Sequence, residues 1–244
     1  MSGHSKWANI KHKKEKTDAQ KAKIFTKIGK EITIAVKAGG GDPSSNSKLR
    51  DLIAKAKSNN VPNDNIERCI KKALGMQDVN YEEVVYEGYG PAGVAVIVEA
   101  TTDNRNRTAG DVRHYFDKFG GNMGQTGCVS YMFEPKGQIV IEDEDGEIDE
   151  DKLMETALEA GAEDFAGEDG IFEITTEIDD VFAIKEALEQ AGYTVASAEQ
   201  TKLPSTYVEL TGEDDIKHMA LLLEYLEDND DVINVYHNWE NPVD

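Results

Sequence analysis

Nine lysines crowd the first thirty residues of this 244-residue chain: Lys6, Lys11, Lys13, Lys14, Lys16, Lys21, Lys23, Lys27 and Lys30. Only Glu15 and Asp18 oppose them there, although the whole protein carries a formal charge of −22. Ammonium groups at this density serve one kind of chemistry, the neutralisation of a polyanion, with counterion release as the driving force. Trp7 and His12 sit among them. A Trp in a basic segment can stack on a base while neighbouring lysines hold phosphates, and His12 adds a hydrogen-bond donor. The same Trp7, with Ile10, can instead dock on the first helix as a hydrophobic staple, and both readings can hold at once.

A second cluster lies at Thr101-Thr102-Asp103-Asn104-Arg105-Asn106-Arg107-Thr108. Arg105, Arg107 and Arg113 are three of the four cationic residues in segment 76–134. They gather at the start of a helix beside Asn and Thr donors, which suits a phosphate or an acidic loop. The other reading leaves Asp103 as the helix cap, with the arginines paired to local acids.

Motifs for enzyme chemistry fail on inspection. Gly88-Tyr89-Gly90-Pro91-Ala92-Gly93 has the letters of a dinucleotide fingerprint, but Pro91 lies inside it and a strand follows where a helix is required. It reads as a hairpin turn. There is no P-loop, no HExxH and no GxSxG. The acidic run from Glu142 to Gly146 misses calcium-loop spacing, because the first and twelfth ligand positions would be Ile141 and Lys152. The five histidines are scattered, and Cys69 and Cys128 form neither a disulfide framework nor a CxxC pair. No catalytic residue, metal site or cofactor is therefore expected.

Charge is strongly segregated along the chain. Residues 1–75 carry 17 Lys and Arg against 7 Asp and Glu, residues 76–134 carry 4 against 9, and residues 135–244 carry 5 against 32. A basic binding module joined to an acidic body follows from those numbers. The body would repel nucleic acid, confining it to the N-terminal face and leaving acidic surfaces for protein contacts. No apolar run approaches the roughly 18 residues a membrane span needs, and no secretory leader is expected, so the protein reads as cytoplasmic.

The elements that must position these groups follow from periodicity. Residues 1–17 lack sustained periodicity and read as an arm. A helix is predicted over 19–38, ended by Gly39–Gly41. It places Ile24, Phe25, Ile28, Ile32, Ala35 and Val36 on one side and Lys23, Lys27, Lys30 and Lys37 within an arc of roughly 80° on the other. Helices over 47–58 and 63–74 complete a small three-helix module. Strands follow over 83–88 and 94–100, then a helix over 107–119 and a strand over 128–133. Residues 135–202 read as strand, helix, strand, strand, helix, strand, the ferredoxin-like order. A last strand, helix and strand over 206–210, 216–227 and 232–237 would complete the α+β domain begun at 78. The expected fold is α+β, with an N-terminal three-helix domain followed by two intertwined ferredoxin-like α+β domains. The expected boundaries are 1–77, then 78–134 with 203–244, and an inserted acidic domain at 135–202.

Five stretches carry a resemblance that runs nearly end to end. GHSKWANIKHKK (Gly3–Lys14), KIFTKIGKEI (Lys23–Ile32), VPNDNIERCIKKALG (Val61–Gly75), YEGYGPAGVAVIVEATTDNRNRT (Tyr86–Thr108) and LEDNDDVINVYHN (Leu226–Asn238) resemble the YebC/PmpR family. That family includes bacterial proteins named as probable transcriptional regulators and a mitochondrial translational activator. The resemblance implies a cytoplasmic, non-catalytic three-domain protein that controls gene expression. Some members act by DNA binding at promoters, and others by ribosome association that relieves stalling at sequences such as proline runs. Lys6, Trp7, Lys11, His12, Lys13 and Lys14 match the family's opening motif, and Arg105 and Arg107 match its TDNRNRT loop. Ser47, Ala73-Leu74 and Trp239 depart from its usual residues. The arm is lysine-rich rather than arginine-rich, and lysines give point-charge phosphate contacts with little base readout.

The expected function is a non-enzymatic, nucleic-acid-binding regulator using Lys6, Trp7, Lys11, His12, Lys13, Lys14, Lys16, Lys23, Lys27, Lys30, Arg105 and Arg107. Its expected partner is promoter DNA or ribosomal RNA, with the ribosome or the transcription machinery beside it and a monomer as the expected state. A different class, an acidic protein-interaction scaffold, stays open at this stage.

Overall fold

The computed structural model describes residues 18–75, 81–143, 145–240 and 242. These divide into two compact units: residues 133–205 form one, while those up to Met132 and from Thr206 onward form the other.

The larger unit begins with helices α1 (Asp18–Gly39), α2 (Ser47–Ser58) and α3 (Asn63–Gly75). The apolar stripe of α1 buries Ile28, Ile32, Ala35 and Val36 against Leu49, Leu52, Ala56, Ile66 and Ala73. Each large side chain so removed from water contributes about 1.5–3 kcal/mol before entropy is counted. Gly40 ends α1 in a left-handed conformation (φ 83°) and donates its N–H to Val36 O at 2.8 Å. Asn46 caps α2 by accepting from Leu49 N–H, and its amide donates back to the carbonyls of Ala35 and Gly40.

The same unit continues through β1 (Glu82–Tyr89), β2 (Ala95–Thr102), α4 (Arg105–Lys118) and β3 (Asn122–Met123), and resumes with α7 (Glu213–Asp228) and β8 (Val232–His237). Its sheet runs β3-β1-β2-β8, and every pairing is antiparallel. β1 and β2 lie inside the sheet, and β2 is buried along nearly its whole length, which suits its apolar run Ala95–Val98. Val94, Val96 and Val98 pack with Val112 and Phe116 of α4 and with Met219, Leu222 and Leu226 of α7. Gly90 sits in the β1–β2 hairpin, where an added Cβ would come within 2.7 Å of Met219 Sδ. The Gly88–Gly93 letters therefore serve a turn beneath α7.

Two expected strands are absent. Segment 128–132 is a turn followed by a 3₁₀ turn, Ser130–Met132. Its amides do not join a ladder, because the Glu87 carboxylate takes the N–H groups of Gly127, Val129 and Ser130 at 2.7–2.9 Å. Segment 206–210 is reduced to a single parallel bridge between Val208 and Trp239. There the Asn238 side chain replaces a strand, accepting from Ala95 N–H and donating to Thr206 O.

The smaller unit is β4 (Phe133–Glu142), α5 (Glu150–Glu159), β5 (Asp164–Glu168), β6 (Ile171–Thr176), α6 (Val181–Gln190) and β7 (Val195–Pro204). Its antiparallel sheet runs β5-β6-β4-β7, the ferredoxin-like order. The core joins Ile139, Ile141 and Ile174 to Leu153, Ala157, Val181, Ile184 and Leu188. β4 and β7 are longer than their apolar runs suggest. Pro135 lies where β4 pairs with β7 alone, so its missing N–H leaves no gap on the β6 side.

Candidate nucleic-acid interface

Lys23, Lys27 and Lys30 stand at i, i+4 and i+7 on α1, which aligns them on one face of the helix. That face meets the turn between α7 and β8. Lys23 Nζ donates to Asp228 Oδ1 at 2.7 Å, and Lys27 Nζ donates to the Glu227 carbonyl at 2.7 Å. Lys30 Nζ donates to the Asp230 carbonyl at 2.8 Å and to Asp231 Oδ1 at 2.9 Å. Three lysines expected to face an external polyanion thus meet oxygens of their own chain. Burial pulls the Lys27 amine down to about 8, against opposing pull from Glu227 and the nearby aspartates.

Asp231 is the hub of this contact. Its Oδ2 accepts from Arg107 at 2.6 Å and from Thr108 Oγ1 at 2.8 Å, with Thr102 Oγ1 at 3.2 Å. Burial alone would raise its carboxyl. The donors from Arg107, Lys30 and Thr108 outweigh that and hold it at about 2. The Thr102 and Thr108 hydroxyls are 2.8 Å apart, so the two threonines close the base of the site.

The expected Thr101–Thr108 cluster is organised around this hub. Asn104 caps α4 by accepting from Arg107 N–H at 3.1 Å, so Asn104 takes the capping role expected of Asp103. Asp103 instead accepts from the Arg107 guanidinium at 3.0 Å, one turn along. Asp231 first, then Asp103, raises the pKa of that guanidinium. Arg105 is exposed, and its backbone carbonyl accepts from Tyr86 OH at 3.3 Å. A polar cleft of about 410 Å³ opens beside Asp231, with Lys30, Tyr81, Asp103, Arg107 and Asp111 in its wall. Lys30 Nζ also lies 5.8 Å from the Tyr81 ring centre.

Lys6, Trp7, Lys11, His12, Lys13, Lys14 and Lys16 lie outside the described residues. Among the expected site residues, the structure brings Lys30 and Arg107 together through Asp231 and places Lys23 and Lys27 in line with them. Thr102 and Thr108 belong to the cluster expected to meet a phosphate or an acidic loop, and both donate to Asp231, whereas Asp231 and Asp228 themselves escaped the sequence reading. The one signal for them is the acidic run Glu227, Asp228, Asp230, Asp231 directly before a strand, complementary in charge to the lysine row.

Among the described residues, no group of three or more His, Cys, Asp or Glu side chains could hold a metal ion. No helix among them is long and apolar enough to cross a membrane.

Comparison with known proteins places this geometry in context. Residues 5–76 match the model of the TACO1/YebC protein N-terminal domain, and residues 81–239 match that of the TACO1/YebC second and third domain. A probable transcriptional regulatory protein of Acetivibrio thermocellus is 64% identical over 240 residues, covering 98% of this chain and 99% of that one. Its counterpart in Ruminiclostridium cellulolyticum is 63% identical over 241 residues, covering 98% and 97%. The crystal structure of conserved hypothetical protein Aq1575 from Aquifex aeolicus superposes with a TM-score of 0.83 at 46% identity, covering 98% of each chain.

Proposed function

The chain belongs to the TACO1/YebC family, whose bacterial relatives bear the name probable transcriptional regulatory protein, and from that premise we propose a non-enzymatic, nucleic-acid-binding regulator of gene expression. The basic N-terminal region, with Lys6, Lys11, Lys13, Lys14 and Lys16 beside Trp7 and His12, holds phosphate backbone. Lys23 and Lys27 extend that surface along α1, Lys30 anchors its inner end to Asp231, and Arg105 adds an exposed cation. The observation that carries this reading is the charge segregation, nine lysines in the first thirty residues against 32 acids in residues 135–244. Such an arrangement binds a polyanion at one end and rejects it at the other. Affinity is dominated by counterion release and falls steeply with salt.

Promoter DNA is the first target, in keeping with the relatives' name. A second reading, ribosomal RNA, is favoured by the same acidity. Bare duplex is repelled by residues 135–244, whereas a ribosome offers basic proteins to accept them while the arm enters an RNA cleft.

Sedimentation of cell lysate through sucrose gradients at low and moderate salt separates the two. Migration with free protein at both salts supports promoter DNA. Co-migration with ribosomes, lost on raising salt, supports ribosomal RNA. Salt-resistant co-migration that survives loss of the arm lysines contradicts both.

A further inference from the structure

We propose that the acidic turn Glu227–Asp231 is a built-in phosphate mimic, which occupies the lysine row of α1 and competes with nucleic-acid backbone for Lys23 and Lys27. The proposal rests on the nucleic-acid-binding reading above and adds a gate to it.

Each lysine of the row receives an oxygen acceptor from the turn, the atom class a phosphodiester offers. Asp228 Oδ1 serves Lys23, the Glu227 carbonyl serves Lys27, and the Asp230 carbonyl and Asp231 Oδ1 serve Lys30. The row is about 10 Å long from first to last lysine at the helical rise. One turn of chain therefore covers a surface that would otherwise track a strand of phosphates.

The two ends of the contact differ in kind. At the inner end, the Asp231 carboxylate is nearly buried, with Lys30, Arg107, Thr102 and Thr108 all within 3.2 Å. Removing either partner there strands a buried charge, so this end is an anchor. At the outer end, the Lys23 and Asp228 side chains are 38% and 65% exposed. An ion pair that open to water contributes little to stability and exchanges readily. Lys27 between them is held by a neutral carbonyl alone, so its charge lacks a formal counter-ion in hydrogen-bond contact. Incoming phosphate offers Lys27 a charged acceptor in hydrogen-bond contact, where the turn offers a neutral carbonyl and only more distant carboxylates. Displacement therefore proceeds from Lys23 to Lys27, while Lys30–Asp231–Arg107 stays closed as the hinge. Arg107 is a positioning residue in this scheme, and Lys23 and Lys27 are the contacts exchanged.

The test is anisotropy of a fluorescein-labelled 20-nucleotide single-stranded RNA, and of duplex DNA of the same length, titrated with the full chain. Asp228→Asn with Asp230→Asn removes turn charge at exposed positions and leaves the anchor intact. Asp179→Asn with Asp180→Asn makes the same charge change at exposed positions before α6 and serves as the control. The proposal expects the turn variant to tighten binding about fivefold and the control less than about twofold, as suits loss of a local competitor. Lys23→Ala should shift affinity the opposite way and lower the salt slope by about one. Thermal melts confirm that each variant folds. Equal tightening in turn variant and control, or no tightening in either, overturns the gate while leaving nucleic-acid binding standing. If neither wild type nor any variant binds either probe, the nucleic-acid reading falls and the gate with it. Binding by the turn variant where wild type is silent supports both.

Discussion

Lys30 Nζ and Asp231 Oδ1 lie 2.9 Å apart across 201 residues of chain. That bond ties the first helix to the turn before the last strand of the larger unit. Through Oδ2, the same carboxylate reaches Arg107 in the TDNRNRT segment. A residue expected to present charge outward thus closes a long-range clasp.

Asp231 should make the protein acid-labile in a defined window. Its folded carboxyl sits at about 2, below the ordinary 3.8, so the ionised group favours the folded state above about pH 4. That contribution, ~2 kcal/mol, is lost as pH falls from about 4 to 2. Urea unfolding from pH 7 to pH 3 checks it against Asp231→Asn. Wild type should be the more stable at pH 7, with the gap narrowing on acidification. A gap that stays constant contradicts the assignment.

Lys27 should titrate early. Burial holds its amine at about 8, whereas an ordinary lysine lies near 10.5. In the folded state it therefore sheds its proton first, and the burial penalty, full below about pH 8, is relieved as pH rises towards 10.5. NMR of ¹³Cε-labelled lysine should show a resonance with a midpoint near 8 that vanishes in Lys27→Met. If that signal survives in Lys27→Met, it belongs to another lysine.

Glu87 should behave as the organiser of segment 127–130. Burial would raise its carboxyl, but the N–H groups of Val129, Gly127 and Ser130 together hold it below the usual carboxylate range. Glu87→Gln turns an amide NH₂ towards backbone donors and should cost about 1–3 kcal/mol. Hydrogen exchange at Gly127, Val129 and Ser130 should accelerate in the variant, with little change in the apolar face of α1. Unchanged exchange at these amides would show that the segment is held by something else.

These contacts mark where sequence reading stops. The α1 face was legible, because period-3.6 spacing alone puts Ile28 and Ile32 opposite Lys23 and Lys27. The α+β class, the ferredoxin-like order of the smaller unit and the Gly88–Gly93 hairpin were legible for the same reason, since local periodicity and turn chemistry decide them. Segments 128–133 and 206–210 were not, because both have strand-like composition. Side chains remote in sequence decide their state: Glu87 for the first and Asn238 for the second. The fate of the lysine row was equally hidden. Spacing shows which residues share a face, but only tertiary pairing shows that Asp228 and Asp231 wait opposite it. The arm residues Lys6 to Lys16 rest on charge density and on the family match alone.

The most direct test of the central claim is the salt dependence of nucleic-acid affinity in Lys11→Ala/Lys13→Ala/Lys14→Ala. If the N-terminal lysines neutralise phosphates, binding should weaken about uniformly across sequences, and the slope of log affinity against log salt should shrink by about one per lysine. Thermal stability should stay close to wild type. A triple variant that binds RNA and DNA with wild-type affinity and slope would contradict the claim.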